Sequence, residues 1–158
     1  MGVGGSVQPL HHEGASGCDD AVGIRNHYRI VQGPGFVTIS YEMVNETRVI
    51  PLGERSHVDP AIRSYLGDAR GRFDGDSLVV ETTNFTDKTP FYGSSAHLRL
   101  IEKFTPDLLE WSVTLVDSTV WTRPWTLSMT LRRSAESPLE FACHEGNYSM
   151  RYALSDLR

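Results

Sequence analysis

Repeated two-residue alternation of apolar and polar side chains is the feature that most constrains this chain. In Phe36-Val-Thr-Ile-Ser-Tyr-Glu-Met-Val44, Val37, Ile39, Tyr41 and Met43 share one face, and Thr38, Ser40 and Glu42 share the other. Leu109, Trp111, Val113 and Leu115 alternate with Glu110, Ser112 and Thr114, and Trp125, Leu127, Met129 and Leu131 with Thr126, Ser128 and Thr130. Successive strand residues point to opposite faces, so each segment predicts a strand with one buried and one wet face. Tyr28–Gln32, Thr47–Ile50, Leu78–Phe85, Leu98–Phe104 and Leu139–Cys143 read as further strands. Gly33-Pro-Gly35 and Gly75-Asp76 are turn signals between them.

Eight strands in close succession predict an all-β fold, an eight-stranded antiparallel meander closing as a lipocalin-like barrel. The interior of such a barrel is packed or holds one small ligand. A two-sheet sandwich is the alternative. Two short helices are expected outside the strands. Asp59-Pro60 resembles a capped helix start, predicting helix over Asp59–Leu66 inside a long glycine-punctuated loop. The second is a C-terminal helix over Asn147–Leu157. Residues 1–25 lack periodicity and read as a flexible arm, leaving 26–158 as a single β-barrel domain.

With 158 residues and a net charge of −5, the chain suits one folded domain and lacks the basic face that a nucleic-acid binder needs. No stretch is long and apolar enough for a transmembrane helix. The N-terminus has neither the basic nor the apolar region of a signal peptide, which predicts a cytoplasmic protein as written. A periplasmic or secreted protein is expected instead if a leader has been removed. Cys18 and Cys143 then become a candidate disulfide; otherwise they are two separate thiols.

Among groups able to do chemistry, Glu102 stands out. It falls in phase with Leu98, Leu100 and Phe104, on the apolar face of its strand. An inward carboxylate must be paired, hydrogen-bonded or protonated. It is therefore a ligand anchor or general acid/base, or else a buried partner of Tyr41 or Arg123. Tyr41, His97 and His144 are the candidate assisting catalytic groups. Candidate ligand-binding residues are Glu81, Thr83 and Asn84 at a strand end, His57 in the loop before it, Trp111, Trp125 and Phe104 on inward faces, and Trp121 with Arg123 near a rim. His11-His12-Glu13 is the nearest approach to a metal-ligand group and has no partner at fixed spacing, so neither metal nor cofactor is expected.

Three stretches together carry a family resemblance: Arg48-Val-Ile-Pro-Leu52, the segment Gly67-Asp-Ala-Arg-Gly-Arg-Phe-Asp-Gly-Asp-Ser-Leu-Val-Val-Glu-Thr-Thr-Asn-Phe85, and Ala142-Cys-His-Glu-Gly-Asn-Tyr148. Trp121-Thr-Arg-Pro-Trp125 fits the same pattern. The chain resembles a widespread family of uncharacterised bacterial proteins, many of them exported, from about Tyr28 to Leu157. It departs from the family pattern in carrying Phe73 where Trp is usual and Arg99 where His is common. The resemblance implies export and no particular chemistry. The likeness to lipocalins is one of architecture only, because their Gly-x-Trp is absent.

These readings predict a small β-barrel enzyme doing cofactor-independent acid/base chemistry, of isomerase, lyase, cyclase or hydratase type, on a small hydrophobic or aromatic molecule. The alternatives are a lipocalin-like binding protein for the same ligand class, and a packed interaction domain without a cavity. Homo-oligomerisation is left open.

Overall fold

A computed structural model of the chain describes residues 4–9, 27–88, 91–105 and 110–139. Among these the protein is all-β. Its strands are β1 (Gly4–Pro9), β2 (Tyr28–Gly33), β3 (Phe36–Tyr41), β4 (Glu46–Pro51), β5 (Asp68–Asp74), β6 (Ser77–Thr83), β7 (Arg99–Thr105), β8 (Glu110–Val116) and β9 (Trp125–Ser134). They form two antiparallel meanders, β2–β3–β4 and β5–β6–β7–β8–β9, and β1 pairs with both β2 and β9 to join them. The order is β4-β3-β2-β1-β9-β8-β7-β6-β5.

The outer strands β4 and β5 meet only at one parallel bridge, Leu52–Gly71, reinforced by the Gly53 N–H donating to the Gly71 carbonyl at 3.1 Å. No ladder closes a barrel between them among the described residues. Their approach depends on Gly71, where a Cβ would lie 2.8 Å from Ile50 Cγ2 and 2.9 Å from Leu52 Cδ2. Any side chain there must displace the packed Ile50 and Leu52 side chains.

Alternation positions the core. Val37 and Ile39 of β3, Ile50 of β4, Ala69 of β5, and Leu78 and Val80 of β6 form one buried cluster, with Tyr28, Ile30, Tyr41, Leu52 and Phe104 packed on it. Phe85, Leu98, Leu100, Val113 and Leu115 form a second, flanked by Phe91, Trp111, Trp121, Trp125 and Leu127. The alternating faces read from β3, β8 and β9 are therefore the buried ones.

Several expectations change. The Phe36–Val44 strand stops at Tyr41, and Met43–Asn45 forms a 3-10 turn. There Glu42 turns inward to meet His27 instead of continuing the wet face: its carboxylate accepts the His27 backbone N–H at 2.8 Å and lies 2.7 Å from His27 Nδ1. Gly4–Pro9 pairs as a strand where a loop or arm is expected. Asp68–Asp74 is a strand inside what reads as a loop, because its inward residues are the small Ala69 and Gly71. Residues 59–66 form tight turns rather than a helix. Asp59 Oδ1 accepts the Ala61 N–H at 2.8 Å, while the carbonyls of Val58, Asp59 and Ile62 accept from the Asn84 side-chain amide. The Asp59 and Ile62 carbonyls are acceptors that a helix over 59–66 would need for itself. The expected strand Leu139–Cys143 keeps no strand geometry at Leu139, and its remainder lies outside the described residues. Most of the arm, the C-terminal helix, His11, His12, His144 and both cysteines lie outside them too.

A buried carboxylate fastens the loop before β7. Asp117 accepts the Ser95 N–H and hydroxyl, both at 2.7 Å, and the Thr119 N–H and hydroxyl at 3.0 and 2.6 Å. Burial disfavours its charge, but the hydrogen bonds from Thr119 and Ser95 outweigh that and hold its pKa down to about 2.

Two outcomes follow for stability. Gly71→Ala is expected to destabilise the fold by about 1–3 kcal/mol in urea denaturation, as overpacking does. Asp117 is depressed in the folded state, so its contribution is complete above about pH 4 and lost as pH falls through about 2. Titrating stability down this window, the gap between wild type and Asp117→Asn should shrink by on the order of 2 kcal/mol. A constant gap would contradict the clamp.

Candidate functional site

Glu102 lies inside, 3% exposed, between Leu100 of one core cluster and Phe104 packed on the other. Its partner is Arg48, from β4, the outer strand of the other meander. Arg48 Nη2 donates to Glu102 Oε2 at 2.6 Å and Nη1 to Oε1 at 3.1 Å, a bidentate fork. The same guanidinium donates to the Tyr41 hydroxyl at 3.1 Å and to Thr82 Oγ1 at 3.1 Å. Trp111 Nε1–H donates to Glu102 Oε1 at 3.2 Å. Every oxygen of the buried carboxylate is thus occupied by protein. Burial opposes the charge on Arg48, and the facing Glu102 carboxylate outweighs it, so the arginine pKa is raised. Burial chiefly raises the Tyr41 phenol, which stays protonated.

This cluster walls a cavity of about 490 Å³ lined largely by apolar and aromatic side chains, among them Tyr28, Tyr65, Phe85, Phe91, Leu100 and Val113. A smaller void of about 70 Å³ lies against the same wall, sharing Tyr28, Tyr41, Glu102 and Trp111. Tyr28 and Tyr41 pack edge to face at 5.3 Å. One side of the larger cavity comes from two loops laced together: Ser64 bridges to Phe85, and Arg63 Nη1 donates to the carbonyls of Phe85 and Ala96. These loops contribute Tyr65, Leu66, Phe85 and Phe91 to the lining.

The sequence candidates separate. Glu102, Tyr41 and Trp111 come together at this wall, and Phe104 lines the smaller void. Glu81 and Thr83 point to the outer face of β6, because Leu78, Val80 and Thr82 take the inner one. Asn84 adopts φ 59°, which its three hydrogen bonds to the 58–62 turns hold in place, and it lines neither cavity. His57 sits on the outer face, its Nδ1 2.9 Å from Asp68 Oδ2. His97 is exposed on the loop before β7. Trp121 and Trp125 pack edge to face at 5.5 Å in the second core cluster, away from the cavity. Arg123 is exposed, so the expected Arg123–Glu102 contact is replaced by Arg48–Glu102. His144 lies outside the described residues.

Sequence reasoning missed Arg48 and Glu46, and left Thr82 as one of two alternatives for the inward face of β6, the one that is buried. Arg48 is in phase with the buried Ile50, while Val49 is 59% exposed, so an inward arginine was the available signal. Glu46 faces the same way two residues earlier and lines the cavity opposite Tyr41 in the β3–β4 register. It makes no ion pair or hydrogen bond among the described residues. Buried His27 and Glu42 were missed as well. Burial disfavours the Glu42 charge, but the backbone N–H groups of His27 and Leu139 outweigh this and lower its pKa. This pair ties the start of β2 to the segment after β9 and lines neither cavity.

Comparison with protein-family models, curated proteins and solved structures finds no match for this chain. The site is read from its own chemistry.

Removing one member of a buried ion pair strands the other charge. Arg48→Met should cost about 3–5 kcal/mol in denaturant unfolding. The double variant Arg48→Met/Glu102→Leu should recover most of that loss. A double variant no more stable than Arg48→Met alone would contradict the pairing.

Proposed function

We propose that the protein binds a small, mostly apolar, ring-containing molecule in the cavity beside Arg48 and Glu102. The curled sheet would then serve as an incompletely closed, lipocalin-like barrel. The observation that carries this reading is a cavity of about 490 Å³, of the size range that holds small organic ligands, with an aromatic lining and one polar wall. On that wall the Tyr41 hydroxyl accepts from Arg48, and its own proton is donated to no group among the described residues. It is the natural donor to a carbonyl or hydroxyl oxygen on the ligand, polarised by the cation behind it.

Binding is favoured over turnover at Glu102. Arg48 and Trp111 engage both carboxylate oxygens with three hydrogen bonds, and the facing guanidinium favours the ionised, paired form, so this group is committed to its ion pair rather than poised to exchange a proton. An acid/base reading of the cavity rests on a different residue: Glu46, the unengaged carboxylate that lines it together with Tyr41. In that reading Glu46 would move the proton, and Tyr41 with Arg48 behind it would stabilise charge on the substrate oxygen.

Native mass spectrometry of the purified full chain tests for a retained molecule. Titration with N-phenylnaphthylamine, an uncharged aromatic probe, tests the cavity itself. Saturable binding is expected, and Leu66→Trp, which adds bulk at the cavity wall, should abolish it while leaving the fold intact by circular dichroism. Absence of saturable binding, or binding indifferent to Leu66→Trp, would overturn the proposal.

A further inference from the structure

A second cleft lies on the opposite, outer face of the sheet. Its floor is the wet face of β5–β6–β7, where Arg70 sits across from Glu81 and Arg72 across from Val79, with Arg99 beside Glu81. Its other wall is the segment 53–57, which leaves β4 and folds back over β5. The resulting cleft of about 340 Å³ is lined by Gly53, Glu54, Arg55 and His57 from the loop, and by Arg70, Arg72, Val79, Glu81, Arg99 and Ile101 among the sheet residues.

The cleft is held in shape from several directions. Gly53 N–H donates to the Gly71 carbonyl, Arg70 Nε–H donates to the Ser56 carbonyl at 3.1 Å, and the Val58 N–H donates to Asp68 Oδ2 at 3.1 Å. His57 Nδ1 approaches that same Asp68 oxygen, and Arg70 Nη1 donates to Asp68 Oδ1 at 2.6 Å. Arg99 Nε donates to Glu81 Oε1 at 2.6 Å, which fixes a second guanidinium. Burial disfavours the Asp68 charge, but hydrogen bonds from Val58, His57 and Arg70 outweigh it, so Asp68 stays ionised as the brace of the loop.

Two guanidiniums in the cleft have no such task. The Arg55 and Arg72 side chains make no hydrogen bond or ion pair among the described residues, although the Arg72 charge helps to lower the Glu81 pKa, and both line the same walls as Arg70 and Arg99. Four arginines face two glutamates there, and Asp68 behind them cancels one more positive charge. The balance stays positive, on a chain whose net charge is −5. Arginine presents a planar fork that matches oxyanions bidentately. One fork fills the two oxygens of a carboxylate, whereas the three terminal oxygens of a phosphate monoester can meet two forks at once.

The geometry points to this cleft as a binding site for a phosphate-bearing small molecule, held by the guanidiniums of Arg55 and Arg72, which have no hydrogen-bond partner of their own among the described residues, and distinct from the apolar cavity on the inner face. The two sites lie on opposite faces of β5–β7 and require ligands of opposite character.

The test is calorimetric titration of the full chain at fixed ionic strength with inorganic phosphate, pyrophosphate and citrate. Saturable binding of phosphate or pyrophosphate at millimolar concentration or below is expected, weakening as salt is raised. Arg72→Gln and Arg55→Gln, at exposed positions where the fold tolerates change, should each weaken it about tenfold. Leu66→Trp in the inner cavity should leave it unchanged. No saturable binding, an affinity unaltered in both arginine variants, or binding of citrate without phosphate or pyrophosphate would overturn the assignment.

Discussion

The Arg48 guanidinium leaves an outer strand of one meander and meets the Glu102 carboxylate of the other, both largely out of water. Neither charge is tolerable alone in that position, because desolvation of a lone ion costs several kcal/mol. Together, with Tyr41, Thr82 and Trp111 completing the hydrogen bonds, they form a polar crosslink between two halves whose sheet pairing, among the described residues, runs through β1 and the Leu52–Gly71 bridge. The crosslink also divides the interior. Apolar side chains pack into a cluster on either side of it, and the larger cavity opens against its wall.

Such a wall gives a ligand direction as well as room. An apolar cavity alone holds many small molecules weakly and in many poses. Here one end presents a phenol that accepts from a buried guanidinium, and Glu46 lines the same space, so a molecule in the proposed site would meet a donor and an acceptor from adjacent strands. The outer face of β5–β7 solves a different problem with the other half of the same residues. Period-two alternation sends Ala69, Gly71, Val80, Thr82 and Glu102 inward, and Arg70, Arg72, Glu81 and Arg99 outward. The two faces can be altered separately, because no side chain serves both.

The legible parts of the fold are those where alternation is driven by burial of large side chains. β3, β8 and β9 read directly, and Glu102 is inward because it keeps phase with Leu98 and Leu100. β5 is invisible to the same reasoning, since its inward residues are Ala69 and Gly71, the latter packed against Ile50 and Leu52, where a strand pattern would show valine or isoleucine. β1 is equally silent, a glycine-rich segment whose place rests on backbone pairing to β2 and β9. The helix expected over 59–66 fails for a tertiary reason: Asn84, distant in sequence, takes the carbonyls that its first turn needs. Within the site, Glu102 reads as inward from its phase with Leu98 and Leu100, whereas Arg48, in the same phase as Ile50, is passed over. Their pairing across 54 positions is not legible, because the topology that joins them is not local.

The central claim is that the interior wall built on Arg48 and Glu102 is where a ligand is met. Indole N–H resonances test it most directly. The chain has three tryptophans, of which only Trp111 donates to Glu102 at the cavity, while Trp121 and Trp125 pack against each other elsewhere. On titration with N-phenylnaphthylamine, followed by two-dimensional nitrogen–proton correlation, the Trp111 indole resonance should shift and saturate while the other two stay in place. A stationary Trp111 resonance, with Trp121 and Trp125 moving instead, would contradict the account.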